Sequence, residues 1–443
     1  MERDSFMSVV RTGRLLCGAI ATAMVLTACT APGDDTSAGM PLIVVPGLGM
    51  SALNVEVDQQ AETTDFDFLL PGMNPVDVLP TDSALEYSLE SGLAADDVDQ
   101  VPEWLALDVD EAGRVSSKPG ITVSPISVGV DFQTECPRYG ALADTLADSA
   151  TGTEWTRNDN LFCLPYDYRM PPGANSFTDD LQELVERVGD GAPVALACHS
   201  QGCLMAYHAM RTIDPAWIED NIALLFGFAG QFSGCSDCLR WAFQAGWTWD
   251  ASDESVSPVD PTWAGELALG LQTSVYGDAV LYEQGSTMYR ANDARSLLDD
   301  AGALAMSRAT GAYSLSGEQW FIEGEQGLPL VIPARFVYGI GIPTTVGYRY
   351  EPSPARQPDC TDPSCAGLMD QMDPVAITAD GDGGDSSWMN QAPAAWTLNP
   401  GCDMRGLPGV GHMDILTNDE AIDLLIDSLL GAAAGDVPCV SPA

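Results

Sequence analysis

Three residue types at distant positions would together make an acyl-transfer site. Ser200 lies in Cys198-His199-Ser200-Gln201-Gly202, Asp380 and Asp382 lie in an Asp-Gly-Asp-Gly run, and His412 lies in Gly409-Val410-Gly411-His412. A serine hydroxyl is a poor nucleophile until a base takes its proton, and an acid must hold that base in the right tautomer. The chain has only three histidines. The His199 side chain should diverge from its neighbour Ser200, and His208 lies about two turns down the helix that follows. His412 is therefore the expected base. The chain order Ser, Asp, His is the order that α/β-hydrolases use. Asp380 and Asp382 compete for the acid. An Asp-Gly-Asp-Gly run also suggests a calcium loop, but no Glu follows at the EF-hand offset. We expect no metal and no cofactor.

Those side chains need particular elements to carry them. Val194 to Ala197 reads as a buried strand and Leu204 to Met210 as a helix, so Ser200 sits at a strand-turn-helix elbow. Gly202 meets the need for a small residue there, while Cys198 stands where the common pattern has Gly. Pro41 to Met50 is a buried strand running into a Gly-bounded turn, whose Leu48 N–H, with the Gln201 N–H, would form an oxyanion hole. Leu181, Leu184, Val185 and Val188 recur at helical spacing after Ser176 and Thr178. Asn221 to Ala229, Phe336 to Gly341 and Pro374 to Ala379 read as further strands. Thr417 and Glu420 form a capping box opening a helix through Leu429. Two stretches interrupt this order. Residues 51–118 read as irregular, with Phe66, Phe68, Leu69 and Leu70 clustered. Residues 230–330 begin with Trp241, Phe243, Trp247 and Trp249, which suit either a lid over an apolar substrate or an ordinary core.

Charge narrows the partners. Asp and Glu total 64 against 18 Lys and Arg, a net charge of −46. Such a polyanion would be repelled by nucleic acid and by anionic lipid. The acidic surface suits high salt, where self-repulsion is screened, and equally an ordinary solvated surface. Residues 1–28 have a basic start (Arg3, Arg11, Arg14), an apolar run too short to span a bilayer comfortably, and the ending Leu26-Thr27-Ala28-Cys29. This is similar to a bacterial lipoprotein signal, with Cys29 carrying the lipid, residues 29–39 forming a linker, and the chain exported to a membrane surface. Export makes disulfides the expected state of most cysteines. Cys235/Cys238 and Cys360/Cys365 are close pairs, Cys136, Cys163, Cys402 and Cys439 are further candidates, and Cys198 and Cys203 read as buried free thiols.

The motifs together resemble the lecithin:cholesterol acyltransferase family, which includes lysosomal phospholipase A2 and the phospholipid:diacylglycerol acyltransferases. Pro41 to Leu53 resembles its first strand and oxyanion loop. Leu164-Pro165-Tyr166-Asp167-Tyr168-Arg169 resembles its PYDWR segment, with Tyr168 for Trp. Cys198 to Gly202 matches its elbow, Val337 to Thr344 its YGxGxPT block, and Asp380 to Gly383 its DGDG turn. The second Asp of that turn is the family's triad acid, which selects Asp382. The Thr-Val that usually follows is Gly384-Asp385 here. The resemblance implies an α/β-hydrolase fold over residues 40–443, with a mostly parallel central sheet, a cap or lid, and membrane-binding insertions at about 51–118 and 230–330. It also implies an acyl-enzyme on Ser200, with phospholipid as donor and a lipid alcohol or water as acceptor. The alternatives are an extracellular lipase or esterase acting on other esters, and a non-catalytic surface lipoprotein on a hydrolase scaffold.

Overall fold

β1 (Leu42–Val45) and β8 (Val194–His199) are buried along their whole length, as their uninterrupted apolar sequences require of strands covered on both faces. They belong to a computed structural model that describes residues 39–57, 85–87, 106–148, 155–236, 238–243, 262–267, 271, 273–313, 330–352, 372–395 and 403–440. The signal segment with Cys29, the Phe66 to Leu70 cluster, Trp247, Trp249, Cys360, Cys365 and Cys402 lie outside these residues.

Between β1 and the next central strand come β2 (Leu53–Val57), β3 (Leu85–Tyr87), β4 (Leu107–Val109), β5 (Val115–Ser117) and β6 (Ile121–Pro125). Then follow β7 (Leu161–Cys163), β8, β9 (Ile222–Phe228), β10 (Tyr282–Gln284) and β11 (Thr287–Tyr289). The chain closes with β12 (Ala334–Ile340), β13 (Ile342–Glu351), β14 (Asp373–Gly381) and β15 (Met404–Pro408). Six of these form a central sheet in the order β15-β12-β9-β8-β1-β7, and every pairing in it is parallel. The elbow strand β8 lies inside this sheet, so Ser200 leaves from a support held on both sides. This is the α/β-hydrolase architecture.

Strand alternation divides the interior into two layers. Leu42, Val44, Ala195 and Ala197 face one cluster, shared with helices Gly140–Ala147 and Asp419–Ala434. Ile43, Val45, Leu196 and Cys198 face the other, shared with helices Phe177–Gly189 and Gln201–Thr212. The last helix departs from the expected capping box. Its cap is Asn418, whose side chain accepts from the Ala421 N–H, and Thr417 instead ends a short 3-10 turn. The helix also runs past Leu429 to Ala434, where Gly435 stops it in the left-handed conformation.

Within the stretch read as irregular, the described residues include antiparallel strands. β2 pairs with β3 and β6, and β4 pairs with β5. The alternating Leu53-Asn54-Val55-Glu56-Val57 carried that signal within an acidic, proline-rich context.

The Pro374 to Ala379 run is a strand, but not of the central sheet. It belongs to a second sheet in the order β11-β10-β13-β14. After β12 a single residue, Gly341 at φ 86°, turns the chain out of the parallel sheet into β13, which pairs antiparallel with β14. β14 then returns to the end of β12. At the opposite end of β12, the buried Arg335 pairs with Asp403 and donates to the carbonyls of Val437 and Pro438, tying the strand starts to the C-terminal segment.

Disulfides join Cys136 to Cys163, Cys198 to Cys203 and Cys235 to Cys238. Cys198 and Cys203 are thus not the free thiols expected. The elbow reverses the chain so sharply that their Cα atoms come within 4.7 Å, which is bridging distance. Among the described residues no helix is long and apolar enough to cross a membrane.

Candidate active site

Ser200 has φ 53° and ψ −129°, a conformation that costs a non-glycine residue on the order of 1–3 kcal/mol and persists only where the surroundings enforce it. Its N–H donates to Phe228 O at 3.1 Å, and its carbonyl accepts from the N–H groups of Cys203 (3.0 Å) and Gln231 (3.2 Å). Gly202 must be glycine, since a Cβ there would strike the Pro46 carbonyl oxygen and lie 2.6 Å from that of Val45. The loop after β1 presses on the elbow in the same way. A Cβ on Gly47 would be 3.0 Å from Ser200 Cβ, so Leu48 follows a residue in close contact with the serine. Gln201 begins the elbow helix.

The structure brings His412 against the acid turn. His412 Nδ1 lies 3.1 Å from Asp382 Oδ2, and the His412 N–H donates to Asp382 O at 2.9 Å. Asp382 Oδ1 accepts from the N–H groups of Gly384 (2.9 Å) and Asp385 (2.6 Å). Burial works against the Asp382 carboxylate, but His412 and the two backbone donors outweigh it and hold the carboxyl below its ordinary value. Asp380 is engaged elsewhere, accepting from the Gly341 N–H at 2.8 Å in an exposed position. Gly384 packs flat on the imidazole, where a Cβ would lie 2.7 Å from His412 Cγ.

The sequence marked two further supports without assigning them a role. The first is His199, whose side chain does turn away from Ser200, but into a definite place. Its Nε2 is 3.1 Å from the His412 carbonyl and its Nδ1 is 3.0 Å from the Tyr139 hydroxyl, which also accepts from the Gly47 N–H at 2.8 Å. With the proton on Nε2, His199 donates to the base loop and accepts from Tyr139. One imidazole thereby ties the loop of His412 to the loop of Leu48. The second is Tyr166-Asp167-Tyr168-Arg169. The Tyr166 hydroxyl is 3.0 Å from both Pro46 O and Gln201 Oε1. Arg169, fully buried, donates to both oxygens of Asp167. The sequence signal for the first was the His-Ser dipeptide itself.

Burial, and then the neighbouring His412, push the His199 pKa down to about 3 from 6.5. An unfolded chain protonates this histidine below pH 6.5, and the folded one does not until about pH 3. Its contribution to stability is therefore complete above pH 6.5 and is lost as pH falls through that window. His208, lowered to about 4 by burial, acts in the same direction. Thermal midpoints should decline on acidification across this range, and His199→Gln should flatten the decline. An equal slope in the variant would show that His199 is not held neutral.

From the expected lid, Trp241 is buried, and Phe243 packs beside Tyr282 and Tyr350 at ring distances of 6.5 and 6.1 Å.

Comparison with known proteins places this geometry in context. The lecithin:cholesterol acyltransferase family model matches residues 127–251, a span that includes Tyr166 to Arg169 and the elbow. The human lysosomal phospholipase A and acyltransferase is 22% identical over 344 residues, covering 75% of this chain and 74% of that protein. The rat protein of the same name is 23% identical over 303 residues, covering 66% and 67%. The human phosphatidylcholine-sterol acyltransferase is 30% identical over 112 residues, covering 24% and 26%.

Proposed function

This chain belongs to the lecithin:cholesterol acyltransferase family, and from that premise we propose that it is a serine-dependent lipid acyltransferase and phospholipase A-type acyl hydrolase. Ser200 attacks the ester carbonyl of a glycerophospholipid while His412 Nε2 takes the hydroxyl proton. The N–H groups of Leu48 and Gln201 receive the negative charge of the tetrahedral oxygen. His412 returns the proton to the leaving lysophospholipid oxygen, and the acyl group remains on Ser200 as an ester. A lipid alcohol or water then enters, gives its proton to His412, and releases the acyl group as a new ester or a fatty acid. Asp382 holds the imidazole with Nδ1–H inward and stabilises the imidazolium.

One observation carries this reading: a strained Ser200 on a strand-to-helix elbow in a chain whose His412–Asp382 pair is buried and hydrogen-bonded. Residues 51–118 and 230–330 are the segments we assign to lipid engagement, within a hydrolase domain of residues 40–443. The disulfides suit an oxidising, exported location, where a signal over residues 1–28, lipid on Cys29 and a tether over residues 29–39 would keep the enzyme at a membrane surface.

The test is incubation of the full chain with phosphatidylcholine vesicles, alone and with a sterol or diacylglycerol, followed by chromatography of the lipids. A new sterol ester or triacylglycerol is the expected product, with free fatty acid in the absence of an alcohol. Fatty acid alone under both conditions would reduce the reading to a phospholipase. Turnover of simple esters but not phospholipid would make it a lipase or esterase. No turnover at all would make it a binding lipoprotein.

A further inference from the structure

A second carboxyl faces the same imidazole. Asp385 is 1% exposed, and its Oδ2 lies 3.5 Å from His412 Nδ1, against 3.1 Å for Asp382 Oδ2. Its other oxygen accepts from Gln231 Nε2 at 2.6 Å. Gln231 is the residue whose backbone N–H donates to the Ser200 carbonyl, so the segment that secures the elbow also aims this carboxyl. The turn itself is closed by Asp382 and Asp385. The Asp385 N–H donates to Asp382 Oδ1, and the Asp382 N–H donates to Asp385 O at 3.1 Å. The result presents two carboxyls to one ring nitrogen.

The two are not equivalent. Asp382 Oδ1 accepts two backbone N–H groups, whereas Asp385 has the neutral Gln231 amide. Two adjacent carboxylates do not both ionise cheaply in a buried site. Burial first, with Asp382 adding to it, drives the Asp385 carboxyl up to about 7, although His412 and Gln231 pull the other way. The titratable groups around it are His412 and Asp382, with the neutral His199 behind the imidazole at a ring distance of 4.9 Å. Below neutrality Asp382 therefore carries the charge and Asp385 the proton, which Asp385 gives up as pH rises through about 7.

We propose that Asp385 is a second positioning acid for His412, a reserve carboxyl that orients the imidazole when Asp382 is neutralised. The inference rests on the reading of His412 as the base. In Asp382→Asn the charge that opposed ionisation of Asp385 is gone, so Asp385 loses its proton and accepts the His412 Nδ1–H in place of Asp382. The family's usual Val at this position could not do this.

A double-mutant cycle on phosphatidylcholine vesicles tests it, with thermal midpoints recorded for each variant. Loss of the only orienting acid costs a serine triad about 10⁴-fold in kcat. Asp382→Asn should lose only about 10- to 100-fold, Asp385→Asn less than about 10-fold, and the double variant the full 10⁴-fold or so, more than the product of the singles. A purely structural Asp385 would lower the midpoint and leave the losses multiplicative. A second readout is the pH profile of Asp385→Asn. Ionised Asp385 favours the imidazolium, so wild-type kcat/KM should gain between pH 6 and 8 relative to that variant. A loss of about 10⁴-fold from Asp382→Asn alone in a folded protein, multiplicative losses, or superimposable pH profiles would each overturn the proposal. If Asp382→Asn does not fold, the pH comparison decides it. If wild type itself does not turn over and Ser200 does not react with a fluorophosphonate, the underlying reading of the site fails instead.

Discussion

Replacing Ser200 by Ala is expected to lower kcat for phospholipid by about 10⁶-fold, the scale on which loss of a triad nucleophile acts. No other group in the proposed mechanism can carry the acyl chain, so hydrolysis and transfer should fall together. The fold should survive. Alanine meets the same left-handed strain at φ 53° that serine already meets, and only the hydroxyl is removed. Three readings should therefore separate. Turnover disappears, fluorophosphonate labelling disappears, and the thermal midpoint stays within a few degrees of wild type. Persistent labelling would place the nucleophile elsewhere. Persistent turnover of either kind would end the acyl-enzyme mechanism.

Among the single substitutions Gly339→Ala should have the second largest effect, and it acts without touching substrate. Gly339 lies in β12, beneath the junction of the acid and base loops. A Cβ there would collide with the Val410 carbonyl oxygen and lie 2.6 Å from Asp382 Cβ. The first contact belongs to the loop that presents His412 and the second to the acid itself. Backbone cannot rotate out of the way as a long side chain can, so the two loops must separate. A displacement of about 1 Å in a catalytic group costs on the order of 10²-fold, and overpacking of this kind costs about 1–3 kcal/mol of stability. We expect kcat to fall by that factor or more, KM to change little, and the rate of fluorophosphonate labelling to fall in parallel, because the base that activates Ser200 has moved. Wild-type kcat in a folded Gly339→Ala protein would show that the loops relax around the methyl group.

Much of this arrangement was legible in the amino-acid order, and the reasons are physical. Val194 to Ala197 is apolar without interruption because β8 is covered on both faces. Gly202 is small because two carbonyls crowd it. Such requirements leave marks at the residue itself. Others do not. The Cys198–Cys203 bridge depends on how sharply the chain reverses at Ser200, which spacing alone does not convey. The chain passes from the central sheet to the one that carries β14 at a single left-handed glycine, Gly341, which the sequence does not mark. Asp385 stood out only as a departure from the family's Thr-Val, and its nearness to His412 required the turn to be folded. Thr417 fitted the pattern of a capping box, yet the helix began one residue later, at a register the pattern did not fix.

The division of labour between the two sheets bears on when the proposed site becomes complete. Ser200 and His412 follow strands of the parallel sheet, while Asp382 arrives on an antiparallel sheet that branches from it at Gly341. The elbow strand β8 pairs with the distant β1 and with β9, whereas the acid and base loops, 30 residues apart, rest on β14 and β15. A partly folded chain can thus possess a complete elbow and still lack an oriented base. Under the proposed acyl-hydrolase mechanism, the split would leave such a chain inert toward the lipids of the cell making it. An oriented base needs β15 and the residues up to His412, so a chain still lacking that late segment carries Ser200 without its proposed base.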